Sequence, residues 1–288
     1  MKEIKLTDIT LFYQEVPSVG GRNAHVYVSL PETYTPSKSY PLFVLLPAGI
    51  HGGFRDKYAY TDGSSTNQFD TLHLNIMRML NRMGIIACTL DRRGAHGYGE
   101  EYLYHTDIGG DEVEDILHGT EYLLNEFSVD RTKVAGLGAS RSALALAKTI
   151  EEKHGIFKLA ILSSGFYDIR KQMELDYATR TDIFPVEQVV GKEKLKDFPF
   201  EARSPMHHVE KLDGGCYVIL THGEDDPYAL ASQSTQFYEE MVKYGKRGEV
   251  KLFDVLPHTK ESSDPLHTDG KKLWEYLTPR IIDLLKLN

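Results

Sequence analysis

The chain has 288 residues, with 33 Lys and Arg against 42 Asp and Glu, giving a formal net charge of −9. That length is near the upper limit of one hydrophobic core, roughly 250–300 residues, and 41% apolar with 26% charged residues is an ordinary globular composition that excludes extended disorder. The negative balance would repel phosphate, so nucleic acid is not an expected partner, and no run approaches the ~18 consecutive apolar residues of a membrane span.

The chain opens on Met1-Lys2-Glu3-Ile4-Lys5, which lacks the apolar stretch of a signal peptide. Strand-like runs follow at 9–13, 25–30, 42–46, 84–90, 133–137, 158–162, 217–221 and 250–256. The first two alternate apolar with polar residues, as half-exposed antiparallel strands do. The later ones are nearly continuous in apolar residues, as buried parallel strands are. Cys88 and Cys216 lie in such runs and read as buried reduced thiols, so the expected address is cytoplasmic.

Helical spacing appears at Phe69, Leu72, Ile76, Leu80 and Met83, and again at Val113, Ile116, Thr120, Leu123 and Leu124. Residues 141–153 are rich in Ala and Leu, Phe237, Met241 and Tyr244 mark another helix, and 273–285 mark the last, with Pro279 inside it. Alternating strands and helices with short connections predict an α/β fold. Its mostly parallel sheet has eight strands and helices on both faces, in a single domain over 1–288. Residues 165–215 break the alternation. They hold no clear single helix and contain Pro185, Pro199 and Pro205, and they read as a small cap-like insertion over the C-terminal edge of the sheet, where active sites of open α/β sheets lie.

The stretch from Lys133 runs strand, sharp turn, Ala-rich helix, with Gly138-Ala139-Ser140-Arg141-Ser142 at its centre. This nearly matches G-x-S-x-G, in which a tight strand-to-helix turn lifts a serine Oγ clear of the sheet and small flanking residues let backbone approach. Ser142 replaces the second glycine. Ser140 also begins a helix, where free amides favour negative charge, although the motif alone leaves a simple helix cap equally open. A serine nucleophile needs a base, and the base needs an acid to orient it. Asp225 and Asp226 follow the strand at 217–221, and His258 and His267 follow the last strand, in the chain order Ser, Asp, His.

At these residues the chain resembles the catalytic α/β-hydrolase domain of the prolyl oligopeptidase family, which includes dipeptidyl and acylaminoacyl peptidases and related esterases. Asp91-Arg-Arg93-Gly94-Ala-His-Gly97-Tyr98-Gly99-Glu, with Tyr102, Gly110 and Asp115 downstream, is similar to the family's N-x-R-G-x-x-G-Y-G block and its G…D. Val129-Asp130 leads into the turn at the family's spacing. Arg203-Ser204-Pro205 is similar to its S-P, and His222-Gly-x-x-Asp226 with Gln233-Ser234 to its H-G-x-x-D and Q-S. The resemblance runs from about residue 40 to the C-terminus. It implies Ser140 as nucleophile and Asp226 as acid, leaving Asp225 a solvated loop acid. The family's histidine stands just before the final helix, which makes His267 the expected base and His258 the alternative.

In the family, H-G-G or a Tyr-Gly pair follows the third strand, whereas here that place holds Pro47-Ala48-Gly49. The resemblance therefore implies an oxyanion hole of backbone amides only, from Arg141 and from Ala48 or Gly49. About 40 residues before the resemblance are too few for the β-propeller of large relatives, whose blades need about 40–45 residues each, so a stand-alone catalytic domain is expected. Gly49, Arg141 and Tyr167 are expected to line the substrate site, with a packing role equally open for Tyr167. The Arg141 guanidinium would either clasp a substrate carboxylate or pair with an acid such as Asp168 or Glu174.

The expected activity is a serine hydrolase that cleaves an ester or small amide through an acyl-enzyme. Its substrate is a small molecule or short peptide, and the chemistry needs no cofactor. His207-His208 lacks any accompanying carboxylate spacing and reads as a solvated pair, so no metal site is expected. The Pro47-Ala48-Gly49 and Ser142 departures also allow a non-catalytic ligand-binding protein on the same fold. The oligomeric state is left open.

Overall fold

In chain order the strands are β1 (Lys2–Lys5), β2 (Thr10–Pro17), β3 (Asn23–Ser29), β4 (Tyr40–Leu46), β5 (Ile86–Asp91), β6 (Val129–Ala139), β7 (Leu159–Ser163), β8 (Tyr217–Gly223) and β9 (Gly248–Phe253). The computed structural model of the chain describes residues 1–49, 51–55, 69–179 and 192–287. The strands form one sheet in the order β1-β2-β3-β5-β4-β6-β7-β8-β9. The alternating runs at the start of the chain pair antiparallel, through β3 against β5, and every pairing from β5 to β9 is parallel.

Among the described residues the sheet has nine strands, not the expected eight. The addition, β1, is an edge strand whose Lys2, Glu3 and Lys5 are exposed. It buries no face, so it leaves no hydrophobic pattern, and its lysines are of the kind that discourage edge-to-edge pairing.

The helices among the described residues are α1 (Thr71–Arg82), α2 (Glu100–Leu103), α3 (Glu112–Glu126), α4 (Arg141–Glu152), α5 (Ile169–Thr179), α6 (Phe200–Arg203), α7 (Ala231–Lys243) and α8 (Thr268–Leu284). The two-residue period of β4 divides them between the faces. Leu42, Val44 and Leu46 point into a core shared with Ile116 of α3, Leu146 of α4 and Phe237 of α7. Phe43 and Leu45 point into the other core, with Met77 and Leu80 of α1 and Leu273 and Leu277 of α8. Cys88 and Cys216 are buried and form no disulfide. No helix among the described residues is long and apolar enough to cross a membrane.

Between β7 and β8 the chain does contain a clear helix, α5, contrary to expectation. Its buried side chains are Ile169, Gln172 and Asp176, and two of these three are polar. Gln172 Nε2 donates to Asp176 Oδ1 at 2.9 Å and to the Tyr228 carbonyl at 2.8 Å. A helix face anchored by hydrogen bonds shows no apolar periodicity. Pro185 lies outside the described residues.

Candidate active site

The end of β6 turns into α4 through Ser140, which has φ 56° and ψ −125°. A positive φ at a non-glycine residue costs on the order of 1–3 kcal/mol and persists only when its surroundings enforce it. Here the Ser140 amide donates to the Ser163 carbonyl of β7 at 2.9 Å, and the Ser140 carbonyl accepts from Ala143 N at 3.0 Å. Gly138 cannot be larger, because a Cβ there would lie 2.2 Å from the Ser142 carbonyl oxygen.

Ser142, which stands where the motif has glycine, is fully buried and satisfied. Its Oγ accepts from Ala139 N at 2.9 Å and has two acceptors for its proton, Leu46 O at 3.0 Å and Ala139 O at 2.8 Å. The departure from the motif thus links the turn to the end of β4. The Ser140 hydroxyl makes no capping bond to α4. It lies 3.0 Å from His258 Nε2.

The Asp226 carboxylate is held by the turn after β8. Asp226 Oδ1 accepts from Tyr228 N at 2.9 Å and Ala229 N at 3.0 Å, and Oδ2 lies 2.6 Å from His258 Nδ1. A carboxylate only accepts, so Nδ1 of His258 carries the proton and Nε2 is left to accept from the Ser140 hydroxyl, the tautomer that a general base needs. Burial raises the Asp226 pKa. Hydrogen bonds from His222 and His258 outweigh it and hold the carboxyl well below the usual carboxylate range.

His222 is itself fully buried: Nε2 lies 2.8 Å from the Ala229 carbonyl, and Nδ1 lies 2.7 Å from Ser234 Oγ. The carbonyl assigns its proton to Nε2, so Nδ1 accepts from Ser234. The H-G-x-x-D and Q-S pairs therefore act locally, with His222 and Ser234 supporting the acid turn. Gln233 Oε1 accepts from the Tyr167 and Asp168 amides, both at 2.9 Å. Asp225 is exposed, as expected for a solvated loop acid.

The structure places His258, not His267, between Ser140 and Asp226. His267 is the N-cap of α8, accepts weakly from Asp269 N at 3.4 Å, and has a side chain 47% exposed. The expectation failed because β9 ends at Phe253. The apolar residues after it, Val255 and Leu256, extend the run without extending the ladder. Leu256 is buried, while Val255 is exposed. His258 is therefore already within a loop that returns to the turn at Ser140.

Ala48 and Gly49 border a cavity of about 330 Å³ that also touches Ser140, His258, Leu72 and Ile76. Gly49 has φ 90°. The Arg141 amide heads α4, on the side of the turn where a helix N-terminus favours negative charge. Its guanidinium, however, enters the interior and pairs with Glu112 of α3, at 1% residue exposure. It neither lines the cavity nor pairs with Asp168 or Glu174. Burial lowers its pKa to about 10 against the pull of Glu112, which leaves it charged at neutral pH.

Of the two roles open to Tyr167, its position matches packing. It is fully buried and stacked on Phe237 at 4.3 Å between centroids, so it serves packing rather than substrate. Tyr228, which the sequence did not single out, lines the cavity with its ring 5.6 Å from that of His258. The Arg93-Gly94…Gly97-Tyr98-Gly99 block is structural. Its three glycines have φ of 84°, 90° and 91°, and Arg93 is paired with Asp115 and Asp111 at 2.8 Å each. No cluster of three or more metal-binding side chains occurs among the described residues.

The sequence model of the prolyl oligopeptidase family matches residues 71–278. Dipeptidyl-peptidase 5 of Schizosaccharomyces pombe is 35% identical over 133 residues, 44% of this chain and 18% of that protein. Dipeptidyl-peptidase 5 of Porphyromonas gingivalis is 22% identical over 261 residues, 88% of this chain and 35% of that protein. Among solved structures, an acylaminoacyl peptidase of Pyrococcus horikoshii superposes with a TM-score of 0.76 at 18% identity, over 96% of this chain and 42% of that one. That likeness concerns the fold. The chain spans 18% and 35% of the length of the two curated relatives.

Proposed function

The chain belongs to the prolyl oligopeptidase family, and from that premise we propose that it is a serine hydrolase whose triad is Ser140, His258 and Asp226. Ser140 Oγ attacks a substrate carbonyl while His258 Nε2 takes its proton, and Asp226 keeps the imidazole oriented and balances the imidazolium charge. The tetrahedral oxyanion is received by the Arg141 amide and an amide of Ala48 or Gly49. His258 then protonates the leaving group, and water discharges the acyl-enzyme by the reverse path. The observation that carries this reading is the continuous hydrogen-bond chain from Ser140 through His258 to Asp226, at 3.0 and 2.6 Å. That chain also favours catalysis over a ligand-binding role.

The substrate is a short peptide or small acyl compound with an apolar group beside the scissile carbonyl. This follows from the walls of the cavity at Ser140, which include Leu46, Leu72, Ile76 and Leu137. A hydrolysis screen of p-nitrophenyl esters against aminoacyl and prolyl anilides tests this reading. Apolar acyl groups should exceed charged ones of equal length by ~10-fold or more in kcat/KM, about 1.4 kcal/mol of discrimination. Absence of any turnover would contradict the reading.

A further inference from the structure

Three buried charged side chains join the two walls of the oxyanion site. Glu112 is fully buried, and Arg92 and Arg141 are each 1% exposed. Glu112 Oε2 accepts from Arg92 Nε at 2.8 Å and also from the Arg141 guanidinium, while its Oε1 accepts from Gly109 N at 2.8 Å. Arg92 Nη1 in turn donates to the Pro47 carbonyl at 3.1 Å.

One carboxylate on α3 thus touches both the residue after Ser140 and, through Arg92, the peptide that leads into Ala48. In a planar trans peptide the carbonyl and the following N–H point in opposite directions. Holding the Pro47 carbonyl on Arg92 therefore fixes where the Ala48 N–H points. Holding the Arg141 side chain on Glu112 likewise limits rotation of the first turn of α4, which carries the second amide.

We propose that Arg92, Glu112 and Arg141 are positioning residues that align the two backbone donors of the oxyanion hole. None of the three side chains touches substrate. They act through the Pro47–Ala48 peptide and the Arg141 amide. Guanidinium forks suit this role because one planar group can hold a carboxylate and a carbonyl at fixed angles, which an ammonium cannot. The inference rests on the serine-hydrolase reading above.

The test compares Glu112→Gln with Asp115→Asn in the full chain. Asp115 is an equally buried carboxylate paired with Arg93, and it contacts neither oxyanion wall. The measured quantities are kcat and KM on an apolar p-nitrophenyl ester, and the inhibition constant of a reversible trifluoromethyl ketone, whose adduct bears the oxyanion. Donors that act in the transition state should change kcat and ketone affinity together. Glu112→Gln should lower kcat by about 10-fold or more and weaken the ketone in proportion, with KM within about twofold. Asp115→Asn should leave both within about threefold.

Arg92→Lys keeps a charge but cannot hold Glu112 and Pro47 together, and it should reproduce the kcat and ketone losses where Glu112→Gln is too unstable to assay. Equal effects of the Glu112 and Asp115 substitutions, or full activity in Arg92→Lys, would overturn the positioning role alone. A wild-type protein without turnover would instead remove the catalytic reading on which it rests.

Discussion

What a residue does here depends on which atoms it touches, and Arg141 shows how far that can diverge from its place in a motif. Its position after Ser140 suggests a guanidinium facing substrate. It is paired with Glu112, a residue 29 positions earlier that no local pattern marks. The turns that carry Ser140 and Asp226 were legible because they are local in sequence. Arg141's direction was not, because it depends on a helix packed across the fold. Arg141→Met should therefore reduce turnover of neutral and anionic esters of equal acyl length by the same factor. A selective loss of ~10-fold or more on the anionic ester, about 1.4 kcal/mol, would show that the side chain reaches substrate after all. The His267 expectation failed for a related reason: position before a helix is a sequence property, whereas contact with Ser140 and Asp226 is not.

At the scale of the element, the turn between β6 and α4 is the most demanding feature of the fold. The Gly138 backbone lies against the Ser142 carbonyl, which is main chain within a helix and cannot move aside. Gly138→Ala should lower stability by about 1–3 kcal/mol and reduce turnover of the protein that remains folded. Chemical denaturation and assay on one preparation measure both. The loop after β9, which brings His258 to the turn, is fixed from outside. Asn75 Nδ2 of α1 donates to Asp264 at 3.1 and 3.2 Å, and Trp274 Nε1 of α8 donates to the Ser263 carbonyl at 2.8 Å. Such side-chain fastenings leave no periodic trace, and the apolar Val255-Leu256 pair masks the true end of the strand. The parallel strands were legible because a strand buried on both faces is apolar throughout. The edge strand β1 and the polar-faced α5 were not, because neither buries an apolar stripe.

At the scale of the whole molecule, Asp91 and His25 give stability opposite dependences on pH. Burial raises the Asp91 pKa to about 6, against hydrogen bonds from Tyr98, Phe54 and Arg55. The folded state then holds this proton more tightly than the unfolded chain, so the contribution of Asp91 falls as pH rises from about 4 to 6. Burial lowers the His25 pKa to about 4. Its contribution is full above the unfolded value near 6.5 and is lost as pH falls toward 4. The two oppose each other in the wild-type profile, so the sign is read from a variant. Asp91→Asn should gain stability relative to wild type between pH 4 and pH 7, by no more than about 3 kcal/mol. The emission of Trp274, the only tryptophan, can follow unfolding. A difference that does not change with pH would contradict the burial of an ionising Asp91.

The same global folding brings Ser140, Asp226 and His258 from the connections after three strands to one point, and fluorophosphonate labelling of the full chain tests that convergence most directly. Wild type and His267→Ala should label on Ser140 at equal rates, Ser140→Ala should not label, and His258→Ala should label slower by ~10³-fold or more, because triad members act as a unit. Labelling that survives Ser140→Ala, or that is lost with His267→Ala and kept with His258→Ala, would contradict the account.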